Sequence, residues 1–491
     1  MKSTRCLSAI ALSLALALPA GADDLNTTLP SLPDLGASSQ EGLTGAQERQ
    51  IGESAMREIR RSGELLDDAQ VQAYVNALGS KLVDASGSDI QFTFFPVDNK
   101  QVNAFSIPGG YVGVNTGLIV MAQHESELAA VLSHEIAHNT QHHLARMVEG
   151  LRFTPWMMLA SLGLAILAAR AGNGDAGMAA VATGQGLAIQ KQLDFTYAFE
   201  QEADRIGMQT LTKSGFDPAA MPTFFERLQK SNRLFESNAP EFLRTHPVTY
   251  KRIADAEARL KDRAYKQYPD SADFLFMRER ARVLQGQAKE LVEYYQKSLI
   301  EKRYTNLPAH LYGLALAQLQ AHQLAEAEKS LASAKQAFGA KHSHPALESL
   351  TGDIQLAEGK SQDAVATYAK AVRQFPDKTS LRYGQLDAML SAGQAPEALK
   401  LVQEYEVSYP SDALFYQRES RIQEKLGKQA EKHKAQAEYY ARLNENGAAI
   451  EQLQLAKSQP GGDFYLMSGI EARLRELEAQ NKLDNENKPK L

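Results

Sequence analysis

The chain has 491 residues, 44% of them hydrophobic, which is enough for more than one packed core and suggests roughly two to four domains. A formal net charge of −6 and a pI of about 6.1 give bulk charge no role in binding nucleic acid, and no nucleic-acid partner is expected. The single cysteine, Cys6, lies at the extreme N-terminus.

Lys2 and Arg5 precede an apolar run from Leu7 to Leu18, and "AGA" at Ala20–Ala22 follows. This is the layout of a secretory signal peptide over residues 1–22. Cleavage after Ala22 would leave a mature chain without cysteine, so an exported fold must rest on core packing or on a metal. Residues 23–44, rich in Asp, Pro, Ser and Gly, read as a flexible leader.

Helical patterning runs from Gln47 to Arg61 and from Asp68 to Asp84. "IQFTFFPVD" (Ile90–Asp98) and "GGYVGVN" (Gly109–Asn115) are apolar, β-rich and bounded by turn residues, so they read as strands. From Glu125 the pattern is helical through a histidine cluster. The uncharged stretch from Phe153 to Ala169, continued by Met178–Gln190, sits at the lower edge of membrane-spanning length. It predicts helices that cover a site or touch a membrane surface, with a transmembrane hairpin as the alternative. Helical patterning returns over Thr196–Ser214 and Pro218–Asn232.

The C-terminal half repeats. Gly359/Gly393, Ala364/Ala398 and Pro376/Pro410 are each 34 residues apart, Gly427 extends the series, and Gly313/Ala325 keep the spacing of Gly352/Ala364. A 34-residue period with small residues at helix crossings and a proline at the exit is the tetratricopeptide signature, so a superhelix with a partner-binding concave face is expected. The registers before Asn306 and after Gly427 are weak and predict degenerate or capping repeats. The polar residues 481–491 read as a frayed tail.

The chemistry centres on "VLSHEIAHNTQHH" (Val131–His143). Residues four apart on a helix project from one face. His134 and His138 can therefore reach one ion, and imidazole suits Zn²⁺. Glu135 beside them can take a proton from water, as in H-E-x-x-H metalloproteases. His142 and His143 are expected at a solvated helix end, with a second metal site as the alternative. A catalytic zinc needs a third ligand, and "FEQEADRIG" (Phe199–Gly207) offers one. Glu200 could bind the metal while Asp204, four residues on, accepts the N–H of a ligating imidazole. Glu202 is expected to be a solvated surface charge.

"HEIAH" followed by "EQEAD" resembles the gluzincin metallopeptidases that include the CAAX-prenyl endopeptidases and their bacterial and mitochondrial relatives. "NAFSIPGGYVGVNTGLI" (Asn103–Ile119) and "THPVTYKRI" (Thr245–Ile253) match the same family. With a signal peptide in front and tetratricopeptide repeats behind, the whole chain is similar to the periplasmic proteases that enhance β-barrel assembly. The resemblance implies an α+β gluzincin-type domain with a small sheet over 45–262. An all-α tetratricopeptide-repeat superhelix would follow over 263–480, making the chain mainly α.

It also implies one zinc per chain, held by His134, His138 and Glu200, with Glu135 as base. His246 would either donate to the oxyanion or, as a switch, fill zinc's fourth position in a resting state. The strand Gly110, Tyr111, Val112, Gly113 and Val114 would pair with an extended substrate. The implied partners are unfolded or stalled outer-membrane β-barrel proteins, such as an LptD-type translocon, and the assembly machinery through the repeats, with a peripheral membrane contact as a further option. Two other readings compete with this one: a mainly non-proteolytic, chaperone-like scaffold, and a membrane-embedded metalloprotease.

Overall fold

The computed structural model describes residues 43–151, 186–234, 240–261, 266–339, 341–460 and 463–486. The expected signal peptide and all but the end of the expected leader lie outside these residues, as does the uncharged stretch up to residue 185.

Helix α1 (Gly45–Ser62) starts at a capping box. The Thr44 side chain accepts from the Gln47 N–H, the Gln47 side chain returns to the Thr44 backbone, and Gly63 ends the helix at φ 72°. Helix α2 (Ala69–Ser86) is capped by Asp68, which accepts from the N–H groups of Gln70 and Val71. Its buried stripe of Val71, Val75, Leu78 and Leu82 packs in the main core.

Three strands follow: β1 (Thr93–Val97), β2 (Ala104–Ile107) and β3 (Tyr111–Asn115). Their order is β1-β3-β2, with β1 parallel and β2 antiparallel to β3. Strand β2 had no separate place in the hydrophobic pattern, because it is only four residues long and runs directly into the turn at Pro108–Gly110. Helix α3 (Thr116–Met121) leads to α4 (Glu125–Thr140), which is buried nearly all round, and to α5 (His143–Leu151). Helices α6 (Gly186–Lys213), α7 (Ala220–Leu234), α8 (Glu241–Thr245) and α9 (Tyr250–Ala258) complete the unit around α4.

Among the described residues, helix pairs then fill the chain to its end. They are α10/α11 (Ala272–Gln285, Ala288–Ile300), α12/α13 (Leu307–Gln320, Leu324–Phe338), α14/α15 (Pro345–Ala357, Ser361–Gln374), α16/α17 (Thr379–Ser391, Ala395–Ser408), α18/α19 (Ala413–Lys425, Gln429–Arg442) and α20/α21 (Asn446–Ser458, Phe464–Glu486). The pairs thus extend beyond both weak ends of the sequence period. Helix α21 also runs to Glu486, into the segment expected to fray.

The repeating residues divide into two roles. Gly359, Gly393 and Gly427 sit at φ 77°, 75° and 74° in the turn within each pair, where a left-handed residue ends the first helix. Ala364 and Ala398 are fully buried at the helix crossings, and at Gly352 a Cβ would come within 2.3 Å of the Tyr368 ring.

The repeats pack back onto the N-terminal unit. Arg280 binds the capping carboxylate of Asp68 at 2.6 Å, Arg278 donates to the carbonyl of Gln123, and Gln70 reaches Ser349. Near the far end, the Leu443 carbonyl accepts from Arg60 of α1 at 2.8 Å. No described helix is long and apolar enough to cross a membrane.

Candidate metal centre

Helix α4 supplies His134, Glu135 and His138, and α6 crosses it closely. At Gly207 a Cβ would stand 3.1 Å from the backbone nitrogen of His134, so any side chain there would press the two helices apart by a few tenths of an ångström. The crossing brings Glu200 and Asp204 of α6 beside the histidines.

His246 arrives from the end of α8. Its N–H donates to the Phe242 carbonyl at 2.7 Å, and its ring stacks on Phe242 at 4.9 Å. Phe242 is fully buried, and burial of such a ring stabilises by roughly 1.5–3 kcal/mol, which seats the loop.

One nitrogen or oxygen from each of His134, His138, Glu200 and His246 falls within 4.8 Å of all the others. The Nε2 atoms of His134 and His138 are 3.0 Å apart, and Glu200 Oε1 stands 2.9 Å from His246 Nδ1. Glu135 is fully buried. Neither of its carboxyl oxygens has a hydrogen-bond partner, and His246 Nε2 stands 3.4 Å away. Three imidazoles, a carboxylate and an orphaned buried acid at one point fit a metal centre, because such a set left alone would carry unmet polar groups.

The electrostatics point the same way. Burial opposes charge on His134, but Asp204 and Glu200 raise its pKa to about 10. Burial likewise opposes charge on Glu200, yet His246, His134 and His138 hold its carboxyl well below the usual range. Burial also works against Asp204, and Arg252 and His134 lower it. The cluster therefore attracts positive charge. Burial lowers His138, keeping that ring neutral as a ligand must be.

Around this set lies a supporting layer. Asp204 Oδ1 is 3.0 Å from His134 Nδ1. Arg252, fully buried, donates to both oxygens of Asp204 at 2.7 Å and approaches Glu200 Oε2 at 2.8 Å. Sequence reasoning gave Arg252 no part. Its signal was the "RI" of the "THPVTYKRI" element, which carries no chemistry until α9 is folded against α6.

Three expectations are corrected. His143 is not at a solvated helix end: it is 3% exposed, its Nδ1 lies 2.9 Å from His138 Nδ1, and its ring stacks on Phe199 at 4.6 Å. Glu202 is not a solvated charge, since it meets His143 at 3.2 Å and Arg146 at 2.9 Å. Helix α5 folds back beside α6, which buries His143 and covers most of Glu202. His142, at φ 50°, pairs instead with Glu48 of α1 at 2.9 Å.

The third correction concerns substrate pairing. Gly110, Tyr111, Val112, Gly113 and Val114 lie on or beside β3, the central strand, whose edges are taken by β1 and β2. A backbone bonded on both sides cannot add a further strand. Gly110 is also tied, its N–H donating to Asn139. Of the two edge strands, β2 is the one beside the site, where Phe105, Ser106 and Ile107 line a cleft of about 250 Å³ together with Glu135, His138 and His246.

Residues 66–260 match the model of peptidase family M48. A β-barrel assembly-enhancing protease of Escherichia coli is 32% identical over 474 residues, covering 95% of this chain and 94% of its own. The protein of the same name in Yersinia pestis is 35% identical over 388 residues, 78% of each chain. The mitochondrial metalloendopeptidase OMA1 of Schizosaccharomyces pombe is 32% identical over 195 residues, 40% of this chain and 54% of its own. With likeness over nearly the whole of both chains and the M48 match spanning the ligand cluster, this chain belongs to the β-barrel assembly-enhancing protease family and is a metalloendopeptidase of family M48.

Proposed function

We propose that the protein is a zinc endopeptidase of the periplasm that cleaves outer-membrane β-barrel proteins stalled in assembly, and that its repeats dock it on the assembly machinery. The observation that carries the catalytic part is Glu135, fully buried with no hydrogen-bond partner on either carboxyl oxygen, beside four converging ligand atoms. A donor set of imidazoles and one carboxylate suits zinc over the oxygen-seeking cations. His134, His138 and Glu200 would hold the ion, and Asp204 would orient His134. Zinc bound there supplies a Lewis acid for a peptide carbonyl and for water. Glu135 takes the proton of the attacking water and returns it to the leaving amine. His246 lies within the four-atom cluster, which favours its role as a fourth ligand in a resting state. On displacement its ring would donate to the oxyanion.

An extended substrate segment pairs with the free edge of β2, above Glu135. Only an unfolded or stalled chain offers such a segment, which agrees with the likeness to β-barrel assembly-enhancing proteases. The metallopeptidase domain is taken as residues 45–262 and the repeats as 263–480, after a signal peptide over 1–22 and a leader over 23–44.

The test is proteolysis of a misassembled β-barrel protein by the purified full chain. Cleavage that stops with chelator, returns with zinc and is absent in Glu135→Gln is the expected result. Undiminished cleavage by Glu135→Gln would refute the assignment. A second reading, a scaffold whose main work is the repeat surface, draws on the helix pairs running from Ala272 to Glu486. It would prevail if Glu135→Gln still supported barrel assembly in full.

A further inference from the structure

Two of the cluster histidines are backed differently. His134 Nδ1 faces a carboxylate directly, at Asp204. His138 Nδ1 faces another imidazole, His143 Nδ1, at 2.9 Å. Beyond that ring, His143 Nε2 faces Glu202 Oε2 at 3.2 Å, and Arg146 Nη1 holds the same oxygen at 2.9 Å. The line Arg146–Glu202–His143–His138 joins α5, α6 and α4 and ends on a ligand nitrogen.

The hydrogen-bond chemistry of this line has one consistent direction. A carboxylate paired with a guanidinium offers only acceptor oxygens, so the nitrogen facing it must carry the proton. His143 therefore bears its proton on Nε2, and as a neutral ring it is bare at Nδ1. Two bare nitrogens 2.9 Å apart would repel, so His138 carries its proton on Nδ1 and donates it to His143. That leaves His138 Nε2 bare, and Nε2 is the atom turned toward His134 Nε2 at 3.0 Å and Glu200 Oε1 at 3.4 Å. The reverse direction would set two acceptors face to face at Glu202 and put a proton on the ligand atom.

We infer that His143 is a positioning residue for the metal: its bare Nδ1 accepts from His138 and fixes the tautomer and ring angle in which His138 Nε2 can bind the ion. The inference rests on the zinc reading above, and it assigns a role to a residue with no ligand atom in the cluster. Its ring is locked for this task. It is 3% exposed and lies nearly parallel to Phe199, at 18°, while the Arg146 guanidinium covers the same Phe199 ring at 4.7 Å. The arrangement gives α6 a fuller role than its spacing suggested. Glu200, Glu202 and Asp204 are all engaged, one in the cluster and one behind each α4 histidine.

The experiment measures zinc affinity of the full chain by competition with a chromophoric chelator, alongside the melting of each chelated variant. His143→Leu keeps an apolar side chain against Phe199 but removes the acceptor. His143→Asn puts an amide oxygen near the place of Nδ1, whereas His143→Gln puts one near the place of Nε2. Loss of the partner behind a ligating histidine typically costs about 10–100-fold in metal affinity. The expected result is that His143→Leu weakens zinc by that factor, that His143→Asn recovers most of it, and that His143→Gln recovers less. Wild-type affinity in His143→Leu would overturn the inference. So would equal affinity in the Asn and Gln variants, which would make His143 a packing residue only. If His143→Leu fails to fold, the Asn-against-Gln comparison decides alone. Failure of the zinc reading is told apart because wild-type chain would then bind no zinc at all.

Discussion

Arg252→Met tests the electrostatic account of the centre most directly. The guanidinium is fully buried, donates twice to Asp204 at 2.7 Å and stands 2.8 Å from Glu200. Methionine fills much of the same space without charge and leaves two buried carboxylates with one fewer cation. Breaking one buried ion pair by removing a partner costs roughly 3–5 kcal/mol. For a unit of the size matched by the M48 model, 1 kcal/mol shifts the melting point by about 2–4 °C, so a drop of roughly 6–20 °C is expected in chelated protein. Zinc should recover part of this drop, because a dication neutralises the same two carboxylates. The assay is calorimetry of the first unfolding transition with chelator and with excess zinc. A chelated variant melting within about 2 °C of wild type would refute the reasoning, since 3 kcal/mol predicts at least three times that shift.

Other outcomes follow from the same geometry. His134 titrates at about 10 in the cluster against 6.5 in a free side chain, so in chelated protein its ion pair with Asp204 stabilises the fold fully below pH 6.5. That contribution fades as pH rises through about 10, and chelated protein should lose stability over this alkaline window. For the same reason zinc binding at pH 8 should expel about one proton, measured by calorimetry in buffers of different ionisation heat, and zero release would count against it. His246→Ala should increase chelator-sensitive degradation of casein if the ring rests on the metal, whereas loss of activity with zinc retained would favour the oxyanion role. Arg280→Ala leaves Asp68 with only the N–H groups at the start of α2, and should cost roughly 3 kcal/mol and expose the seam between repeats and peptidase to hydrogen exchange. Unchanged exchange at Gln70 and Ser349 would show that the seam does not depend on it.

Much of this protein could be read along one dimension. His134, Glu135 and His138 share a face because a helix repeats every 3.6 residues, and Glu200 and Asp204 do so by the same rule. The 34-residue spacing of Gly359, Gly393 and Gly427 announced paired helices because each of these three pairs turns through one left-handed residue. These are local properties, fixed by backbone geometry within a few residues. What lay outside the reach of sequence reasoning depends on which elements touch. Glu202 and His143 looked solvated from spacing alone, and only the folding of α5 onto α6 brings them into contact. Arg252 reaches Asp204 across 48 residues of chain. Strand β3 carries the stronger β pattern, yet its place in the middle of the sheet denies it a free edge, while the weakly patterned β2 lies at the border of the cleft. Period and composition set the elements and the ligand types. Tertiary packing decided which charges meet, which edge stays open and which histidine stands behind which, because those depend on distances that no local pattern encodes.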